Sequence, residues 1–523
     1  MKMNKKQYNN IINHSLQYDC KDSENPLDTA RIIFNNIGVA LPQGTIKEVY
    51  DTVSTGEYMG WKKCTLEEAK EAANNGIAAM GISENKIVVL SAEDDEQPAQ
   101  QTASVLTLTD NTPAVAVANL QYYSYSYGST TGGSTTTPWR KAIIIIPGIM
   151  GTELIAGPNN TDYSYGTKLW SDSLLKDFEG GILEKIDVVN RVISLRCNSN
   201  GESNNDIIPF NNLYGFDDTY KKLFDTLSSS YGNDYSINFF AYDWRLSNAI
   251  NANKLDSFIN SYCYDEVVLV CHSMGGLVAS GYLSLGFEQR NKVKSVITLG
   301  SPLLGVPIVP YLWGSEDVEA LFGDFNIGAV GKWLIEQVEL YFNPLDYLMG
   351  NFASMYEMFP SAKYFDEAYT DKTYLITSFV GGAPLEIQTY AETRARLDSY
   401  LSHFNKKLAD ASEDFHDSLY TNSIHITGLV NTYYVAGYNA QTIDKIEFNM
   451  WNWYVDSYID EGDSVVSAGS ATLGDKYPSK TFYVKNVNHM GLVQDSQTCH
   501  FISQLISENT STSSYSKIYN NLN

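Results

Sequence analysis

Ser273 stands at the one place in the chain where local pattern could turn a hydroxyl into a nucleophile. Val267-Val-Leu-Val-Cys-His-Ser-Met-Gly-Gly-Leu277 runs from a buried, β-branched stretch into the serine and then into small residues that open a helix. This is the strand–turn–helix pattern G-x-S-x-G, with Cys271 in place of the first glycine. The turn lifts its central side chain above the sheet on a strained backbone, so both flanks must be small. Gly275 lets the following helix come close, and Cys271 is small enough to serve. An S-x-G triplet also arises by chance in ordinary turns; the strand before it and the helix after it separate the two readings. Cys271 is a poor rival nucleophile, because the turn presents its central residue.

A serine hydroxyl attacks only when an adjacent base takes its proton and a third group orients that base. The chain has seven histidines. His489, in Val487-Asn-His-Met-Gly-Leu492, occupies a polar loop after the strand-like Thr481–Val484. Asp463 lies 26 residues earlier, in Asp460-Glu-Gly-Asp-Ser-Val-Val466, at a turn before an apolar run. The order Ser273, Asp463, His489 is the triad order of strand–turn–helix hydrolases. His425 reads as a packed core histidine, and His272, beside the serine, is expected to point elsewhere. His500, His416, His403 and His14 read as helix or surface residues. Asp460, Glu461 and Asp463 form an acidic cluster that would suit calcium, but a triad acid on a solvated turn accounts for it better. Acyl transfer also needs backbone donors for the oxyanion. One would be the Met274 amide. The other would be the amide of Ile149, in Ile146-Pro-Gly-Ile-Met-Gly-Thr-Glu-Leu154, where Gly148 and Gly151 let the chain curl; a plain strand-ending turn is the bland alternative.

These residues need a sheet whose strand ends converge. Ile143–Ile146, Ser236–Tyr242, Glu266–Val270 and Lys294–Leu299 are short apolar runs separated by helical stretches, which predicts a mostly parallel sheet covered on both faces. Segments of about 156–235 and 303–420 interrupt the alternation and are expected to cap the site. The second carries Leu303, Leu304, Trp313, Leu321, Phe322, Trp333, Leu334, Met349, Phe352, Met355 and Met358 on amphipathic stretches. Residues 1–92 read as a small α+β unit, with helical patterns over Leu27–Ile37 and Thr65–Asn75 and a strand at Lys86–Leu90. Residues 93–138, rich in Ser, Thr, Gly and Tyr, read as a linker that includes a strand-like stretch at Val105–Val117. Residues 139–505 form the catalytic domain and 506–523 a polar tail.

Composition narrows the function. Lys and Arg number 36 against 61 Asp and Glu, a net charge of −25. That excludes a nucleic-acid-binding surface and disfavours attachment to anionic lipid. The 37 tyrosines suggest a surface or cleft rich in amphipathic rings. Six scattered cysteines without a C-x-x-C pair speak against zinc ribbons, thioredoxin chemistry and a disulfide framework. With no P-loop, no G-x-G-x-x-G after a strand and no H-E-x-x-H, neither cofactor nor metal is expected. The N-terminus has an apolar core of only Ile11-Ile12, and no 18-residue apolar run exists. A soluble, cytoplasmic protein is the expectation; a leader removed beforehand would leave the same sequence.

Residues 139–505 resemble the lecithin:cholesterol acyltransferase family of α/β-hydrolases, which includes phospholipases and bacterial lipase-like members. The matching segments are PGIMGTEL at 147–154, YDWR at 242–245, CHSMGG at 271–276, LGSPLLGV at 299–306, GDSVV at 462–466 and NHMG at 488–491, all in family order. Lys168-Leu-Trp170 and Met358-Phe-Pro-Ser361 resemble segments of bacterial members. The resemblance implies Ser273, Asp463 and His489 as a triad, with Ile149 and Met274 at the oxyanion hole. It also implies Asp243 and Arg245 as a charged pair fixing a loop beside the site, against which stands a purely structural salt bridge. The implied substrate is a lipid or other ester. The alternatives are a small-ester carboxylesterase and a non-catalytic surface-binding protein on a hydrolase fold.

The N-terminal stretches Thr29–Pro42 and Gly60–Gly76 resemble papain-like cell-wall amidase domains. Asn25 or Pro26 stands near the family's cysteine position and Asn85 near its histidine position, while Cys20 and His14 are misplaced. The resemblance therefore implies a degenerate module that docks to a cell wall or a protein partner, against a structural add-on.

Overall fold

The computed structural model describes the strands at 62–65, 85–91 and 102–108 and, from 141 to 520, all residues except 173, 175–181, 263, 316–348, 368–372, 379–383, 402–403 and 450–451. The chain divides into two compact units, Met1–Pro138 with Ile259–Cys263, and Trp139–Phe258 with Tyr264–Asn523.

In the first unit, Lys62–Thr65 and Asn85–Ser91 flank Thr102–Leu108 in an antiparallel sheet. The third strand lies within the stretch expected as linker, so this sheet runs past residue 92. The helix expected over Leu27–Ile37 lies outside the described residues, as do Cys20, His14, Asn25 and Pro26; of the one expected over Thr65–Asn75 only Thr65 is described, as the end of a strand.

The second unit is built on a seven-stranded sheet. Its strands are β1 (Lys141–Ile146), β2 (Ser236–Phe239), β3 (Glu266–His272), β4 (Val293–Leu299), β5 (Thr432–Tyr438), β6 (Thr481–Lys485) and β7 (Ile518–Tyr519). Their spatial order is 2-1-3-4-5-6-7, with β1 to β6 parallel and β7 antiparallel at the edge. Residues 142–146 of β1 and 267–272 of β3 are wholly buried, as a sheet covered on both faces requires. Helices α1 (Lys221–Tyr231), α2 (Gly275–Ser284) and α3 (Ser496–Ile506) pack around it. Leu223, Phe224 and Leu227 of α1 and Phe501, Ile502 and Leu505 of α3 share one core with Ile143, Val268, Ile297, Val435 and Phe482. This is an α/β-hydrolase fold, as the family resemblance implies, built on the mostly parallel sheet that the alternating pattern predicts.

Four features depart from the expectations. First, α1 lies in the segment read as cap at 156–235, but its apolar stripe is buried in the sheet core, so the excursion ends before it. Second, Leu375–Ser378 pairs in parallel with Thr442–Asn449, which pairs with Asn452–Ile459. The cap's own sheet therefore extends beyond 420. Third, the polar tail ends in β7, which pairs with β6 and buries Ile518. Fourth, many of the described tyrosines are interior: eight of the largest fully buried side chains are Tyr220, Tyr242, Tyr282, Tyr356, Tyr364, Tyr374, Tyr433 and Tyr434. Burial is tolerable where the hydroxyl finds a partner, as for Tyr242 on the Pro147 carbonyl at 2.7 Å and Tyr356 on that of Gly350 at 2.9 Å. Leu321, Phe322, Trp333 and Leu334 lie outside the described residues. Among the described residues, no helix is long and apolar enough to cross a membrane.

Candidate active site

β3 delivers Ser273 into a tight turn with φ +52°, and α2 starts two residues later. The left-handed backbone costs a non-glycine residue free energy and is held by surrounding structure. The Ser273 amide donates to the Leu299 carbonyl of β4 at 2.9 Å. A Cβ at Gly275 would collide with the backbone oxygens of Ile146 and Pro147, so only glycine lets the helix start this close to β1.

Asp463 comes from the turn after the strand Asn452–Ile459, and His489 from the loop after β6. The Asp463 Oδ1 atom accepts from the amides of Val465 at 3.0 Å and Val466 at 2.7 Å. Its Oδ2 accepts from His489 Nδ1 at 2.8 Å. The turn is not solvated at its centre: Asp463 is fully buried while Asp460 is exposed. Three donors on the carboxylate make that burial tolerable.

Ser273 and His489 line one pocket. Its walls are mostly apolar, with Ile149 and Met150 after β1, Val306, Ile308 and Val309 after β4, and Met355 and Met358 from the cap. Ile149 thus borders the cavity, and Met274 caps the N-terminus of α2. Among the described residues, neither amide has an internal hydrogen-bond acceptor. Two unsatisfied N–H groups and a helix N-terminus beside a serine are what a developing oxyanion needs. Among the described residues, no group of three His, Cys, Asp or Glu side chains converges to hold a metal.

Asp243 and Arg245 do not border the cavity. They form a buried ion pair, with Arg245 Nη2 2.6 Å from Asp243 Oδ2. The guanidinium also donates to the Leu195 carbonyl at 2.6 Å and the Ser203 hydroxyl at 3.0 Å, fastening the cap segment between them. Their neighbours act on the loop below the site. The Tyr242 hydroxyl donates to the Pro147 carbonyl and Trp244 Nε1 to the Thr152 carbonyl at 3.0 Å, gripping the Ile149 loop at both ends.

His272 does not point elsewhere. It lines the same cavity, and its ring lies 4.7 Å from that of His489. Nδ1 meets the Tyr220 hydroxyl at 2.9 Å and Nε2 the His489 carbonyl at 3.1 Å. Burial, then the neighbouring His489, pushes its pKa well below the ordinary imidazole value. His425 is buried as expected, bonded to Thr427 at 2.7 Å. His416 and His500 both lie on helices, Lys406–Ser418 and Ser496–Ile506; His416 is buried and donates to the Glu357 carbonyl at 2.8 Å, whereas His500 is exposed. His403 and His14 lie outside the described residues.

Residues 212–315 match the model of the lecithin:cholesterol acyltransferase family. The stretch contains the YDWR, CHSMGG and LGSPLLGV segments, and it is LCAT-like on that match. A search of curated proteins returns no match. Among solved structures, a chain of the Tle4–Tli4 complex is similar at 13% identity and a TM-score of 0.46, covering 71% of this chain and 98% of that one. The esterase RhEst1 from a Rhodococcus species is 11% identical, with a TM-score of 0.26 and coverage of 56% and 86%. EstA from Clostridium botulinum is 12% identical, with a TM-score of 0.24 and coverage of 71% and 87%.

Proposed function

We propose that this chain is a serine-dependent acyl-ester hydrolase or O-acyltransferase acting on lipid-like esters through an acyl-serine intermediate. The observation that carries the reading is the Asp463–His489 hydrogen bond beside a cavity that Ser273 shares with His489. With its Nδ1 proton engaged by Asp463, His489 keeps the Nε2 lone pair as the base. Ser273 Oγ attacks the acyl carbon as Nε2 takes its proton, and the carbonyl oxygen becomes an oxyanion held by the Ile149 and Met274 amides. Collapse breaks the ester bond, and the leaving alcohol takes the proton back from Nε2. Water or a second alcohol then repeats the cycle on the acyl-serine.

The apolar walls support an acyl chain as the bound group. Each buried methylene contributes about 0.8 kcal/mol, so longer chains gain until the cavity ends. A fluorophosphonate probe should label Ser273 at neutral pH, and kcat/KM should rise from acetyl to octanoyl p-nitrophenyl esters. No labelling would leave a non-catalytic protein on a hydrolase fold. Labelling with a preference for acetyl would leave a small-ester carboxylesterase.

A further inference from the structure

An unbroken row of polar atoms joins the loop that carries Ile149 to the loop that carries His489. Gly148 N lies 2.8 Å from the Tyr220 hydroxyl oxygen, which lies 2.9 Å from His272 Nδ1; His272 Nε2 lies 3.1 Å from the His489 carbonyl oxygen. Every donor in the row follows by elimination. A backbone amide only donates, so Tyr220 accepts from Gly148 and turns its own proton toward His272 Nδ1. A carbonyl only accepts, so Nε2 carries the imidazole proton. The two assignments agree on one neutral tautomer. Both side chains are almost wholly buried, Tyr220 at 1% and His272 at 2% exposure.

We propose that Tyr220 and His272 are positioning residues, a neutral strut that holds the oxyanion loop and the base loop at a fixed separation on either side of Ser273. The function of the strut rests on the acyl-serine reading above; its existence rests on geometry alone. Gly148 abuts the nucleophile so closely that a Cβ there would lie 2.8 Å from that of Ser273. The amide assigned to the oxyanion belongs to the next residue, Ile149. At the other end, the accepting carbonyl belongs to the base itself. Movement at either end therefore displaces a reacting partner, and displacement of about 1 Å costs on the order of 100-fold in rate. Neutrality matters as well. A charged ring 4.7 Å from His489 would oppose the imidazolium that forms during attack.

Tyr220→Phe keeps the ring against Phe239, at 5.5 Å, and removes both of its bonds. It should lower kcat for p-nitrophenyl octanoate by about 10- to 100-fold, less than the ~100- to 1,000-fold expected for losing an oxyanion donor outright. KM should stay within about twofold. His272→Gln, whose carboxamide sets one acceptor beside one donor, should recover most of the activity that His272→Leu loses. The double variant Tyr220→Phe/His272→Leu should be no slower than His272→Leu, because both break one chain. A role in folding alone would instead lower the melting temperature and leave kcat intact. A Tyr220→Phe enzyme with kcat within twofold of the parent overturns the proposal.

A second readout does not depend on turnover. In protein labelled with 15N-histidine, with His272 assigned through His272→Gln, the ring should carry its proton on Nε2 and stay neutral where an ordinary imidazole titrates. A titrating ring, or the opposite tautomer, overturns the strut even in an active enzyme. The expected tautomer in a protein whose Ser273 ignores the fluorophosphonate rejects the acyl-serine reading, and the strut's catalytic role falls with it.

Discussion

Ser273 is held at φ +52°, a conformation that glycine adopts freely and other residues do not. Ser273→Gly and Ser273→Ala both lose the hydroxyl, so their difference isolates the backbone. Ser273→Gly should be the more stable by about 1 kcal/mol, read from denaturant midpoints, and neither should hydrolyse ester. His489→Ala and Asp463→Asn should each lower kcat by several orders of magnitude, and the double variant should be barely slower than the worse single one. Full activity in His489→Ala would redirect the assignment of the base. Ser273, Asp463 and His489 could each be singled out as candidates because each sits in its own short motif. Tyr220, Tyr242, Trp244 and the true orientation of His272 could not. Their bonds span 72, 95, 92 and 217 residues of chain, and no local pattern encodes a partner that only the finished sheet brings close.

At the scale of elements, the cap is fastened to the sheet domain through Glu357, at the end of the helix Ala353–Glu357 that also carries Met355 to the cavity. The buried carboxyl takes the Ser247 hydroxyl at 2.6 Å and the Asn248 amide at 2.7 Å, at the start of the helix Asn248–Ser261. Burial pushes its pKa from 4.5 up to about 7, and the hydrogen bonds offset only part of that. Because the folded value is raised, the native state holds the proton more tightly than the unfolded chain. The stabilisation is fully present below about pH 4.5 and is lost as pH rises through about 7. Glu357→Gln should therefore gain thermal stability relative to the parent on going from pH 4.5 to pH 8; an unchanged difference across that range would refute the assignment. The strands β1, β3 and β4 were evident as β-branched runs. Strand β5 was not, since Thr432-Tyr-Tyr-Val-Ala-Gly-Tyr438 carries tyrosines that read as amphipathic until their burial is seen. Exposure alternates along the cap strand Asn452–Ile459, but its Trp453-Tyr-Val455 and Asp456-Ser457 runs hide that period in the sequence, and the irregularity at Ile443–Ile446 hides it in Thr442–Asn449.

For the whole molecule, a net charge of −25 sets how it meets a charged interface. Repulsion from an anionic vesicle is long-ranged at low salt and screened beyond ~10 Å at 0.1 M. Hydrolysis of an ester presented in anionic vesicles should rise several-fold between about 20 and 300 mM salt, while the same ester in zwitterionic vesicles should respond little. Equal salt responses would mean that overall charge does not govern access. The charge balance and the parallel sheet were both legible from composition and apolar spacing. The route of the C-terminus was not: seventeen mostly polar residues after Ile506 gave no sign that Ile518 would be buried against the sheet.

The position of β5 in the sheet order bears on how the protein is made. Strand β4 ends at Leu299, and its partner β5 begins at Thr432, 133 residues later along the chain. At ribosomal rates of about 5–20 residues per second, β4 waits roughly 7–27 s for its neighbour to be synthesised. Throughout that interval an apolar strand presents an open row of amides and carbonyls, the template on which edge-to-edge aggregation starts. Production of this protein should thus be limited by what shields that edge during synthesis, and slower translation of residues 303–431 should lower soluble yield.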